Sequence, residues 1–162
     1  MTTTTTAAAE AAPSDLFEVP LHRMFTYRLH MLSKLTDALS QQSYIEETAL
    51  SLSDGRCLMT IGQFEPLSVK DLAQLSNLNK SQASRAAQAL VSQGLVSKVE
   101  SVADGRGVVL TLTPEGRERC DRTDALVLRR NREIFGCLDQ TELHQLSVFL
   151  DRLIAHNHDS LG

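Results

Sequence analysis

Apolar and polar positions recur along this chain with a period that changes, and the changes mark its elements. From Leu21 to Gln41 the apolar residues fall three and four apart (Leu21, Met24, Phe25, Leu29, Leu32, Leu35, Leu39), the stripe of an amphipathic helix. Ser51-x-x-Asp54 opens a second helix that runs to about Gly62. Two helices follow, each opened by a capping box: Ser68 with Asp71, then Asn79 with Gln82. The first is short, about Val69 to Ser76, with Leu72 and Leu75 on one face. The turn Asn77-Leu78-Asn79 sets one apolar residue between two turn-formers. The second, 80–93, stops before Gly94, a residue that takes the left-handed cap without Cβ strain. Its inner face is Ala83, Ala86, Ala87, Leu90 and Val91, and the alanines allow close approach to the helix before it.

After Gly94 the period shortens. Leu95–Val102 and Val108–Thr113 are rich in β-branched residues, and Asp104-Gly105-Arg106-Gly107 between them is a hairpin signal. Thr113-Pro114 then opens a long charged helix to about Gly136, with Thr as N-cap and Pro in the first helical position. Asp139-x-x-Glu142 caps a last helix striped by Leu143, Leu146, Leu150 and Leu153. The expected fold is mainly α with a small β-wing (α+β). A winged helix-turn-helix is expected over 46–113, with recognition helix 80–93 and wing 97–112. A helix over 16–45 and helices over 114–158 flank it. These flanking helices carry more apolar surface than a three-helix wing domain can cover, which points to a dimer interface.

The run LAQLSNLNKSQASRAAQALVSQGLV (72–96) resembles, without a gap, the helix-turn-helix of the MarR family of bacterial transcription regulators. Asp104 and Arg106 match the family's Asp-x-Arg in the wing, and Leu112, Thr113 and Gly116 its Leu-Thr-x-x-Gly. The resemblance spans about residues 20 to 156. It departs at Gly107, where many members carry a second basic residue. What it implies is a homodimer joined by the terminal helices, with two DNA-reading lobes. It also implies an effector pocket between dimer helices and lobe, which in many members takes phenolic or aromatic carboxylate compounds. A two-fold dimer would read a pseudo-palindromic operator with half-sites one helical turn, ~34 Å, apart.

The outer face of the recognition helix presents Lys80, Ser81, Gln82, Ser84, Arg85 and Gln88, groups that hydrogen-bond bases and phosphates. Gln82 suits adenine, Arg85 suits guanine or phosphate, and the helix N-terminus favours phosphate. A solvated polar face is the alternative; the wing that follows favours DNA. Arg106 is expected to reach the minor groove or its phosphates with Asp104 orienting it, the alternative being a plain Asp-Gly turn. On a helical wheel Arg28 falls within the stripe of Leu21, Phe25, Leu32 and Leu35, and Arg56 between Leu52 and Met59. A charge buried there needs a partner. The resemblance suggests the carboxylate of a small anionic aromatic effector, with Tyr27, His30 and Met31 as wall or polar contacts. A structural salt bridge is the competing reading. Gly55 early in a helix costs about 1 kcal/mol relative to Ala. It leaves space for a ligand or an aromatic side chain, or is a tolerated defect.

Composition narrows the rest. A chain of 162 residues, 42% hydrophobic, suits one domain or one protomer of a dimer. The net charge of −4 argues against a generic polyanion binder. Residues 68–107, however, hold Lys70, Lys80, Arg85, Lys98 and Arg106 against Asp71, Glu100 and Asp104, so 5 − 3 = +2, leaving −6 elsewhere. Cys57, Cys120 and Cys137 have no metal or redox spacing, and with no secretion signal a reducing cytoplasm is expected. Residues 1–15 are low in complexity and expected to be disordered, and no segment suits a membrane span. Some MarR relatives sense peroxides through a cysteine in the first helix; this first helix has none. Cys57 reads as core, and Cys120, near Arg117 and Arg119, as a thiol whose pKa those charges lower. His144, His156 and His158 lack zinc spacing. No nucleophile elbow, phosphate loop or carboxylate pair is present, so no metal, cofactor or catalysis is expected. The expected function is a ligand-responsive repressor. The alternatives are a cysteine-based redox repressor and a winged-helix protein-interaction module, the latter disfavoured by the basic outer face.

Overall fold

A computed structural model describes residues 18–100 and 108–159. The tail 1–17, the wing tip 101–107 and residues 160–162 lie outside the described residues, and with them the expectations for the disordered tail and for Asp104 and Arg106. Among the described residues a 3-10 turn, Leu21–Arg23, precedes six helices and two strands. These are α1 (Phe25–Thr48), α2 (Leu52–Phe64), α3 (Val69–Leu75), α4 (Lys80–Ser92), β1 (Val96–Glu100), β2 (Val108–Leu112), α5 (Pro114–Phe135) and α6 (Gln140–Asp159). The strands form an antiparallel pair with Val96 opposite Leu112 and Lys98 opposite Leu110. Leu67 adds an isolated antiparallel bridge to Leu110. The chain falls into two compact units that divide within α1, one up to Ala38 and one from Leu39.

In the second unit the core is built where the alternation placed it. Cys57, Leu58 and Ile61 of α2 are buried with Leu72, Ala83, Ala87, Leu90, Leu95 and Leu110. The alanines on α4 leave no bulk between it and its neighbours, and Leu90 fills the interior at the far end. The caps form as the sequence implies. Ser68 Oγ accepts from Asp71 N at 3.2 Å and Asp71 returns a carboxylate oxygen to Ser68 N. Those bonds from Ser68 hold the Asp71 carboxyl below its usual pKa. Asp139 and Glu142 make the matching exchange at the start of α6. Gly94 takes φ +72°, the left-handed cap that ends α4.

Helix α1 differs from its expected bounds at both ends. Met24, extended at ψ 136°, separates it from the 3-10 turn, so the helix starts four residues later than the apolar stripe. It also runs seven residues past Gln41, to Thr48, before Ala49 takes φ 54°. Those last residues are mostly polar, so periodicity could not show them. They are held by tertiary contacts. Tyr44 and Thr48 are buried, and Arg119 Nη1 donates to the Thr48 carbonyl at 2.6 Å. Arg129 also bonds to Glu47.

Large apolar side chains remain exposed in both units. In the first, Leu21, Phe25, Leu29, Leu32 and Leu35 are exposed. In the second, so are Val148, Phe149, Leu150, Leu153 and Ile154 of α6.

Candidate functional site

The recognition helix is positioned from its first residue. Asn79 Oδ1 accepts from Gln82 N at 2.9 Å, and Gln82 Oε1 accepts from Asn79 N at 3.1 Å. With Ala83, Ala86, Ala87 and Leu90 turned inward, Lys80, Ser81, Gln82, Ser84, Arg85 and Gln88 are all exposed on the opposite side. The structure therefore brings six of the eight expected DNA-facing residues onto one helix; the other two, Asp104 and Arg106, lie outside the described residues.

Two of the six are not free polar ends. The Gln82 carbonyl oxygen that would accept from adenine is already bonded to the backbone, so its cap competes with base reading. Gln88 Oε1 accepts from Lys98 Nζ of β1 at 2.8 Å. Lys98 enters the charge balance of the sequence, but nothing local to it places it at the site. Strand alternation holds the signal. Lys98 shares a strand face with buried Val96, and that face packs on α4.

The base of the wing is clasped to the helices around it. Thr113 N donates to the Leu95 carbonyl at 3.0 Å, and Thr113 Oγ1 donates to the Gly94 carbonyl at 2.7 Å. The same hydroxyl oxygen accepts from Gly116 N at 3.0 Å, capping α5. Gly116 lies so close to β1 that a Cβ there would sit 1.9 Å from the Leu95 carbonyl oxygen. This is the physical content of Leu-Thr-x-x-Gly: a core leucine, a threonine joining three backbone segments, and a glycine that lets them touch. Glu65, at the end of α2, accepts from Leu112 N at 2.5 Å and pairs with Arg117 at 2.7 Å. The wing is thus tied to the helix-turn-helix from both its strands.

The expected effector residues stand differently. In the first unit Tyr27, Arg28, His30 and Met31 are exposed on α1, and so are the leucines around Arg28. In the second, Arg56 is exposed between half-buried Leu52 and Met59. Neither guanidinium is buried within the single chain. A wheel shows which face a residue shares but not whether anything covers that face. The withdrawn arginines are on α5: the side chains of Arg119 and Arg130 are 19% and 16% exposed. Sequence reading missed them because α5 is charged on most sides, so no stripe marks them. Arg119 reaches the Thr48 carbonyl, and Arg130 pairs with Glu133. The Nε of each has no hydrogen-bond partner among the described residues.

Gly55 is explained by a neighbouring aromatic ring. A Cβ on it would lie 2.3 Å from Tyr44 Cε1, so the glycine seats the ring that anchors the end of α1. The thiol expectation is reversed. Burial, reinforced by Asp121, Asp124 and Glu65, pushes the Cys120 thiol up, and Arg117 offsets little of it. Cys57 is pushed up by burial as well, while Cys137 is exposed. Among the described residues no group of His, Cys, Asp and Glu could hold a metal ion, and no helix is long and apolar enough to cross a membrane.

A short helix, a turn, a capped outward-facing helix and a two-stranded wing define a winged helix-turn-helix protein. The MarR family model matches residues 50–107, the segment containing α2, α3, α4 and β1. Solved structures match nearly end to end. A MarR family transcriptional regulator from Silicibacter pomeroyi is 25% identical with TM-score 0.78, over 91% of this chain and 99% of its own. A MarR/EmrR family regulator from Acinetobacter sp. ADP1 is 18% identical with TM-score 0.79, over 87% and 99%. A Mycobacterium tuberculosis MarR family protein, solved in complex with p-aminosalicylic acid, is 22% identical with TM-score 0.66, over 80% and 97%. None of the curated proteins matches the chain. Residues 50–107 thus match the MarR family model, and the fold over most of the chain is that of MarR family transcriptional regulators.

Proposed function

We propose that this chain is a cytoplasmic, homodimeric repressor that binds a pseudo-palindromic operator and is released by a small aromatic acid or phenol. The observation that carries the DNA-reading part is the exposed face of α4, where Lys80, Ser81, Ser84 and Arg85 stand together on a capped helix. Arg85 reads guanine or phosphate, Lys80 and the first turn of the helix meet phosphate, and Arg106 on the wing reaches the neighbouring groove.

The dimer reading rests on apolar surface. Phe25, Leu29, Leu32 and Leu35 on α1, and Phe149, Leu153 and Ile154 on α6, are exposed in the single chain. Apolar stripes of this size are normally covered, and when one chain leaves them bare they mark an interface. A division into a dimerisation segment over 16–45, a DNA-reading domain over 46–113 and dimerisation helices over 114–158 goes with this reading. The aromatic acid reading draws on the p-aminosalicylic acid bound to the Mycobacterium tuberculosis relative. In this chain the carboxylate would meet Arg28, with Tyr27, His30 and Met31 near it on α1, or Arg56 on α2. A ligand of this kind releases DNA only if it binds one spacing of the two recognition helices better than another.

The test is a gel shift of the purified protein on DNA upstream of its own and the adjacent gene, with and without hydroxylated benzoates. Specific binding abolished by one compound is the expected result. Specific binding indifferent to every compound would remove the aromatic effector and leave the DNA reader.

A further inference from the structure

We infer that Lys98, held by Gln88, is a DNA-phosphate contact that joins the wing to the recognition helix. The inference rests on the DNA-reading proposal for α4 and extends it to a residue outside that helix.

The Gln88–Lys98 bond is 2.8 Å long and links two exposed side chains from different elements. Lysine has three donors and glutamine accepts one of them, so two remain for an anion. Gln88 lies eight residues beyond Lys80, about 12 Å further along the helix axis at 1.5 Å per residue. When the first turn of such a helix reads base edges, a side chain that far along it is leaving the groove and passes the phosphate backbone. Lys98 stands there on a strand rather than on a mobile loop. Its backbone is fixed by pairing with Leu110, and Leu110 is itself bridged to Leu67.

The arrangement explains why a glutamine faces a lysine at this point. Gln88 orients the ammonium without cancelling its charge, whereas a carboxylate there would neutralise it. Gln88 is therefore a positioning residue and Lys98 the contact.

The experiment measures binding to the protein's own upstream DNA across 50–200 mM salt for wild type, K98Q, K98R and Q88E. Each Lys98 that meets a phosphate adds about 0.9 to the slope of log K against log salt. Two per dimer give a K98Q slope shallower by about 1.8, so its deficit at 50 mM shrinks about 12-fold by 200 mM. K98R keeps the wild-type slope. Q88E loses slope as K98Q does, because its carboxylate pairs with the ammonium. Sequence preference is unchanged in K98Q and K98R. A K98Q slope equal to wild type overturns the inference while leaving DNA reading intact. Loss of sequence-specific binding by the wild type itself would remove the underlying proposal and this one together. Lys98 is exposed, so thermal melts of the variants should match wild type, and a K98Q melt far below it would likewise overturn a pure contact role.

Discussion

Gly116 and Gly94 offer a paired test of how the wing is attached, because alanine fails at each for a different reason. At Gly116 an added Cβ would meet the Leu95 carbonyl oxygen at 1.9 Å and the carbonyl carbon at 2.9 Å. Ordinary carbon–oxygen contacts begin at about 3.3 Å, so the start of α5 must move roughly 1.4 Å from β1. Overpacking of that kind costs about 1–3 kcal/mol. The movement also stretches the bond from Thr113 N to Leu95 O and the Thr113 cap on Gly116 N, each contributing about 1 kcal/mol. Better helix propensity returns at most about 1 kcal/mol. The expected loss for G116A is therefore about 2–4 kcal/mol. Gly94 has nothing within 4 Å of its missing Cβ but sits at φ +72°, so G94A loses only the left-handed penalty of about 1–2 kcal/mol. Urea melts at one fixed protein concentration measure both, since the midpoint of the proposed dimer would depend on concentration. A G116A protein as stable as wild type, or less affected than G94A, would refute the close-approach explanation.

Three further outcomes follow from the same contacts. E65A removes the acceptor of the Leu112 N–H as well as the Arg117 pair, and should cost about 1–3 kcal/mol. R117A removes only a pair whose arginine is 61% exposed and should cost under about 1 kcal/mol; equal losses in urea melts would contradict this ranking. Gly55→Ala drives a methyl into the Tyr44 ring and should destabilise by about 1–3 kcal/mol, with Y44A/G55A no worse than Y44A alone; an additive double variant would sink that account. Iodoacetamide at pH 7.5 should label exposed Cys137 first. The raised thiols of Cys57 and Cys120 should stay slow and quicken only as pH climbs beyond the usual thiol range, whereas fast labelling of Cys120 would show that its arginine neighbours dominate.

The parts legible in the sequence are those set by local chemistry. The boxes at Ser68/Asp71 and Asn79/Gln82, the Thr113-Pro114 start and the Gly94 stop each involve residues within four of one another, so a reader of the chain sees both halves. The parts that are not legible depend on distant partners. The apolar stripe does not continue through Gln42–Thr48, whose last turns are held by Arg119, Arg129 and the ring seat at Gly55, up to 82 residues away. Arg28 looks buried on a wheel because a wheel assumes that an apolar stripe is covered, and in one chain its stripe is not; Arg56 is exposed although Leu52 and Met59 beside it are half-buried. Lys98 escapes sequence reading because its significance comes from Gln88, ten residues earlier on another element. The same limit reverses the reading of Cys120. Arg117 is near in sequence, but burial and three carboxylates outweigh it in space.

The most direct test of the central claim is fluorescence anisotropy of the wild-type protein and of R85A on its own upstream DNA and on a scrambled duplex, at about 150 mM salt. The account predicts that wild type prefers its own DNA by at least about 10³-fold. It predicts that R85A loses about 1–3 kcal/mol on that DNA and much less on the scrambled one. Equal binding of both duplexes by wild type, or an R85A protein that discriminates as well as wild type, would contradict the assignment of α4 as the sequence-reading helix.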